Sequence, residues 1–249
     1  GITERLSIPF EAIHGFFDDM RKALIVRYDQ GKYFWELRSC DYWQEFEQPK
    51  VIYPNICVRN EFAWDDLSFY ANQKTFIIPN ATKFLLGYLN SSVVMWLFSQ
   101  FLPKLQNGFY EPGAKFMGQF PIPPTTPDQQ RCCERLAEAL IWLHGTTTKK
   151  AKDESSGLMV ACFEQWLNGL VYQLFFPDEF HTRKLKLFDE TARLNPPDLA
   201  QVPESRKLAA LQEVFTKAYD ANATLRGMLF DLRSLDAVQL IEEKQGALS

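Results

Sequence analysis

Cysteine and histidine are scarce in this chain. Five Cys (Cys40, Cys57, Cys132, Cys133, Cys162) and three His (His14, His144, His181) are spread over 249 residues. An odd Cys number at irregular spacing matches no disulfide framework, and no CxxC pair is present to seed a zinc site. Free, buried thiols in a reducing cytoplasm are the expectation. An excess of either charge is also lacking: 27 Lys and Arg stand against 31 Asp and Glu, for a net charge of -4. That balance argues against a uniformly basic nucleic-acid binder but leaves room for one positive face. No long apolar run exists. The most apolar stretch, Phe84 to Leu102, is interrupted by Gly87, Asn90, Ser91, Ser92, Ser99 and Gln100, and reads as a pair of core helices. Glu4 and Arg5 stand where a secretory signal would be apolar. Gly1 in place of an initiator Met is expected of a piece of a longer protein.

Apolar bulk is plentiful. Hydrophobic residues make up 46% of the chain, with 21 Phe and 6 Trp, enough to fill one large domain or two small ones. The densest stretch runs from Tyr33 to Asn60. Tyr33, Phe34, Trp35, Tyr42, Trp43 and Phe46 crowd its first half. Val51-Ile52-Tyr53 then predicts a strand that Pro54 either ends or confines to a sheet edge. Upstream, Phe10, Ile13, His14, Phe16 and Phe17 line one side of a short helix with Pro9 near its first turn. Leu24-Ile25-Val26 is expected as a strand, followed by a turn near Asp29-Gln30-Gly31. Residues 60–70 read as a loop anchored by Trp64 and Phe69. Thr75 to Ile78 predicts a second strand, stopped by Pro79-Asn80. Leu85, Leu86, Leu89, Val93, Val94, Trp96 and Leu97 recur at helical spacing, and Asn90-Ser91-Ser92 divides them into two helices. Pro103 to Gln119 predicts a loop or hairpin that turns at Asn107-Gly108.

Past the stiff segment Pro121–Pro127 the pattern turns helical. Thr126-Pro127-Asp128-Gln129 is a helix start with a capping box. Cys133, Leu136, Ala137, Leu140, Ile141 and His144 share one face, and Gly145 is expected to end that helix. Residues 146–157 read as a flexible linker whose Lys149, Lys150 and Lys152 are solvated. Leu158 to Phe176 is a buried helix. Leu208, Leu211, Phe215 and Ala218 mark another helix, and Leu225, Met228, Leu229 and Leu232 a further one. Glu242 to Ser249 is expected to fray. The expected fold class is α+β, with a mixed small-sheet domain at residues 1–127 and a helical region at 128–249.

Several blocks then fall into order over residues 33–125. They are Trp35-Glu36-Leu37, the run Phe46-Glu47-Gln48-Pro49-Lys50-Val51-Ile52-Tyr53-Pro54-Asn55-Ile56, Phe62, Thr75-Phe76-Ile77-Ile78, Leu85-Leu86-Gly87-Tyr88-Leu89-Asn90-Ser91, and Phe120-Pro121-Ile122-Pro123. The series resembles the C-terminal target-recognition (specificity) domain of TaqI-like and Eco57I-like adenine-specific DNA methyltransferases from type II restriction–modification systems. Leu170 to Pro177 resembles the helix-and-stop segment that follows that domain. The Gly-Arg-Asp-Ile-like element with which such domains usually open is absent from residues 1–32.

The resemblance implies binding, with no catalysis on this chain itself. It implies the sequence-reading part of an N6-adenine DNA methyltransferase, or of a fused restriction–modification enzyme, separated from its catalytic domain. Double-stranded DNA and the missing methyltransferase domain are the implied partners, with no membrane involved. No cofactor is expected on this chain, and S-adenosylmethionine would belong to the parent protein. Candidate phosphate contacts are Arg38, Lys50, Arg59, Lys104 and Lys115; candidate base readers are Asn60, Gln106, Asn107 and Tyr110. One alternative is a protein-interaction scaffold module in a phage-defence complex, which the acidic balance and the long helical tail favour. Another is a self-contained enzyme with an unrecognised site. Two motifs resemble catalytic ones by chance. Asn195-Pro196-Pro197-Asp198 ends in Asp where an adenine methylase needs a stacking aromatic ring, and reads as a linker between helices. Glu242-Glu243-Lys244 has a nuclease-like spacing but no strand context.

Overall fold

The structure, a computed structural model, describes residues 11–147 and 154–246. Pro9, Phe10, Lys149, Lys150 and Lys152 lie outside the described residues, as do 247–249. The chain divides between Gln44 and Glu45 into two compact units.

The first unit carries helices α1 (Glu11–Asp19) and α2 (Arg21–Leu24), neither with a buried residue. Ring contacts organise it. Tyr33 stacks on Trp35 with centroids 5.0 Å apart, Phe34 meets Trp35 edge-on, and the Arg21 guanidinium lies 4.2 Å over the Phe34 ring. Leu24-Ile25-Val26 does not form the expected strand. Ile25 keeps helical angles and closes α2, its N–H donating to the Arg21 carbonyl, and among the described residues no strand pairs with it. Gln30 and Leu37 pair as an antiparallel bridge. Gly31 is required there, because a Cβ would sit 2.4 Å from the Leu37 carbonyl oxygen. Arg27 fastens the turn by donating to the carbonyls of Phe34 and Glu36.

The second unit is built on β1 (Lys50–Pro54), flanked by β2 (Ala63–Asp65) and β3 (Thr75–Pro79), all antiparallel pairs in the order β2-β1-β3. Pro54 ends β1, as expected, although β1 is the central strand. β2 is a correction to the loop expected over residues 60–70. At three residues it is too short to show a period-2 pattern. β2 and β3 both oppose β1, so residues 66–74 must cross the sheet to join them. Val51 and Tyr53 face the core, where Tyr53 and Phe62 pack ring on ring and Phe62 meets Phe98.

Helices α3 (Lys83–Leu89) and α4 (Ser92–Phe101) cover this face, bent by 60° at the predicted break. Thr82 and Ser91 cap them, each hydroxyl accepting from the N–H three residues on. Among the described residues no single helix is long and apolar enough to cross a membrane. A short helix, α5 (Ala114–Met117), precedes the proline-rich turn. The capping box then forms as its sequence predicts: the Thr126 hydroxyl accepts from Gln129 N–H at 3.2 Å, and the Gln129 carboxamide accepts from Thr126 N–H at 2.9 Å.

α6 (Pro127–Thr147) runs two residues past Gly145 and packs on α3. α7 (Glu154–Phe175) packs on α3, α4 and α6. Then follow α8 (Pro177–Thr182), α9 (Leu187–Leu194), α10 (Glu204–Tyr219), α11 (Thr224–Asp231) and α12 (Asp236–Gly246), the last lying on α4. α12 keeps its helix to Gly246, beyond the point where fraying was expected. Asn195 has left-handed angles (φ 50°, ψ 68°) that terminate α9, and its side-chain oxygen accepts from Arg135 at 2.5 Å. Asn195-Pro196-Pro197 is therefore a turn between α9 and α10, fixed to α6. The fold is α+β, and the helical region shares one core with the sheet.

Candidate nucleic-acid interface

The sequence-predicted residues fall into two groups. Lys50, Asn60 and Tyr110 are taken up by the fold. The Lys50 ammonium is 0% exposed, pairs with Asp65 at 2.5 Å, and donates to the Phe46 carbonyl, so it cannot reach a phosphate. Its partner's carboxylate also accepts from the N–H groups of Leu67 (2.9 Å) and Phe69 (3.0 Å). Burial pushes the Asp65 carboxyl up, but Lys50 and these two N–H groups outweigh it and hold it below the usual carboxylate value. The ion pair thus anchors the start of the crossover loop. Sequence reasoning missed this role because Lys50 opens the apolar strand β1, an end position where lysine is usually solvated.

Asn60 spends its amide on the fold, Nδ2 donating to the carbonyls of Leu89 and Ser91, both at 2.9 Å. It belongs to a trio of asparagines at the α3–α4 break. Asn90 accepts from Phe62 N–H through Oδ1 and donates to the Phe62 carbonyl through Nδ2, imitating a strand partner. Asn168, from α7, accepts from Ser92 N–H at 2.8 Å. Together they bind the segment after β1, the helix pair and the helical tail at one point. Asn90→Ala leaves the Phe62 backbone groups without these partners. It is expected to lower the unfolding free energy by about 1–3 kcal/mol, measured by urea titration. Tyr110 is buried at 2% exposure beside Phe98, and cannot present its ring to DNA without leaving the core.

Arg59, Lys104, Gln106, Asn107 and Lys115 are exposed on the second unit; Arg38 is exposed on the first. A ribbon brings most of the former together. Tyr110 forms antiparallel bridges with Cys57 on one side and Lys104 on the other. Cys57 and Tyr110 exchange both backbone hydrogen bonds (3.1 and 2.7 Å), and Leu105 N–H donates to the Phe109 carbonyl at 2.7 Å. Gln106-Asn107-Gly108 is the tip. Asn107 (φ 62°) and Gly108 (φ 80°) are both left-handed, the geometry an Asn-Gly turn favours. The buried undersides, Tyr110 and Cys57, fix the ribbon to the core, and burial with the nearby Glu61 charge pushes the Cys57 thiol up to about 11. Among the described residues Lys104 and Lys115 pair with no carboxylate, whereas Arg59 bonds Glu61 at 3.0 Å.

Behind Arg59 and Asn60 opens a cleft of about 980 Å³, walled by residues 58–64, α3, α4, α6 and α7. At its edge His144 on α6 meets Glu164 on α7 at 3.3 Å, and that hydrogen bond raises the imidazole pKa against the lowering effect of burial. Among the described residues no three His, Cys, Asp or Glu side chains cluster as metal ligands.

The α+β second unit thus displays Gln106 and Asn107 at the tip of a ribbon that carries Lys104. Residues 18–122 match the family model described as the TaqI-like C-terminal specificity domain. The match supports the resemblance read from residues 33–125 and extends it upstream of Tyr33, to residue 18 in the first unit. No curated protein matches the chain.

Proposed function

We propose that this chain is the DNA sequence-recognition part of a restriction–modification protein, and that the ribbon at residues 104–110 is its reading element. The specificity-domain match supports the first half of this reading. The observation that carries the second is the exposed Gln106–Asn107 tip, turned at the left-handed Asn107 and Gly108, flanked by Lys104 and bridged to the Arg59 segment. Amides reach base edges, and asparagine or glutamine pairs bidentately with adenine in the major groove. Lys104, Lys115 and Arg59 would fix register on phosphates; Arg38 would do so from the first unit. The parent would be a cytoplasmic, S-adenosylmethionine-dependent N6-adenine methyltransferase whose catalytic domain takes the flipped base. This chain would supply neither methyl donor nor catalytic group.

The sparse charge sets the expected binding mode. Between residues 45 and 122 six Lys and Arg stand against six Asp and Glu, and Lys50 is already neutralised. Binding should therefore depend on salt with a shallow slope. Lys104→Ala with Lys115→Ala is expected to weaken all duplexes alike and to reduce the log–log salt slope by about one per lysine, measured by fluorescence anisotropy. The reading itself is tested by selecting duplexes from a random pool with this chain at two salt concentrations. A motif that persists at the higher salt supports it, and binding without any motif contradicts it. A scaffold role is the second reading, favoured by exposed Leu67, Phe69 and Tyr70 on the crossover loop; it predicts no duplex binding.

A further inference from the structure

The same ribbon carries a feature that amide and lysine contacts leave unused. With Cys57 opposite Tyr110, the register sets Val58 opposite Phe109; with Lys104 opposite Tyr110, it sets Leu105 opposite Phe109. Residues directly opposite share a face, and neighbours along a strand alternate. Tyr110 and Cys57 point into the core, so Val58, Phe109 and Leu105 form a row on the outer face. Their exposures agree: 49%, 37% and 37%. An apolar row across three adjacent segments is costly to leave in water. Here it borders the Gln106–Asn107 tip, and the exposed Lys104 and Arg59 are the chain neighbours of Leu105 and Val58.

We propose that the Val58–Phe109–Leu105 row seats thymine C5-methyl groups in the DNA major groove, so that the chain selects thymine beside the base pair read by Gln106 and Asn107. This rests on the reading of the chain as a DNA-recognition part. Three considerations point to DNA as the occupant. The tip is two strands wide, and the major groove admits a two-stranded ribbon. The thymine methyl is the apolar group that groove displays, and aromatic and aliphatic side chains contact it. Lys104 and Arg59, exposed and adjacent in the chain to Leu105 and Val58, are cations suited to the phosphates that border that groove. The chemistry is thus divided: the amides read a hydrogen-bonding edge, and the row reads a methyl that uracil lacks.

The experiment uses the full chain and the duplex recovered by random-pool selection. Each thymine of the motif is replaced singly by deoxyuridine, which removes the methyl and keeps the pairing edge. Removal of a seated methyl is expected to weaken binding by about fourfold, the factor for burying one methylene-sized group. The double variant Leu105→Ser/Phe109→Ser, its fold checked by thermal melting, should bind the thymine and deoxyuridine duplexes equally. The wild-type comparison does not depend on that variant folding. Selective binding that ignores every deoxyuridine replacement, or a recovered motif without thymine, overturns the methyl-reading row and leaves the recognition reading standing. Absence of selective binding by the wild-type chain overturns both.

Discussion

Asp65→Ala is expected to destabilise the second unit by about 3–5 kcal/mol, the cost of leaving one member of a buried ion pair without its partner. Lys50 and Asp65 are 0% and 2% exposed, and the replacement strands the Lys50 ammonium under the crossover loop. It also frees the N–H groups of Leu67 and Phe69, so the loop should loosen first. Urea denaturation of the variant gives the loss directly. Lys50→Met combined with Asp65→Leu should recover most of it, because an apolar pair of similar volume removes the stranded charge. The pH dependence carries the same signature. The folded-state pKa of Asp65 is depressed, so its contribution is fully present above the unfolded value of about 3.9 and is lost as pH falls through the lower folded value. Wild-type stability should fall over that acid window, and the double variant should lack this component of the fall.

Trp166→Ala should cost about as much, 3–5 kcal/mol, for loss of a large, fully buried aromatic side chain. Trp166 stacks near Phe163 with centroids 5.9 Å apart and donates its indole N–H to the Thr191 hydroxyl at 2.8 Å. Thr191 itself donates to the Leu187 carbonyl, a bond the replacement leaves in place. One turn away, Gly169 lets α7 approach α9 and α11 closely: a Cβ there would lie 2.8 Å from Leu229 and 3.0 Å from Leu187. The site thus lies at the joint of three helices. The effect should not stay in the helical region. α7 also supplies Asn168 to the start of α4, and Leu167 packs against Gly87 of α3. Monitored by denaturation with two probes, one in each region, the variant should lose both in one shifted transition. Trp166→Phe should recover a large part of the stability.

Much of the architecture was legible from residue types with strong local preferences. Val51-Ile52-Tyr53-Pro54 and Thr75–Ile78 are β-branched or aromatic runs ended by proline, and both are strands. Thr126 and Gln129 form the box that their spacing predicts, and Asn107-Gly108 turns the chain. What failed was decided by distant partners. β2 exists because Ala63–Asp65 lies beside β1, and nothing within three residues could announce that. Leu24-Ile25-Val26 has strand composition but, among the described residues, no strand to pair with. Lys50, Asn60 and Tyr110 looked like binding residues because their types bind DNA. Each instead meets a partner far away in sequence: Asp65, the carbonyls of Leu89 and Ser91, and Cys57 with Phe98. The apolar row beside Asn107 was illegible for the same reason, since Val58 and Phe109 become neighbours only through the Cys57–Tyr110 bridge.

The most direct test of the central claim, that the 104–110 ribbon reads DNA sequence, is a parallel random-duplex selection with the wild-type chain and Asn107→Ala. A true bidentate reader is worth about 1–3 kcal/mol at one base pair. The predicted result is a shared motif from which the variant has lost preference at a single position. The same motif, unchanged at every position, would contradict a reading role for the ribbon.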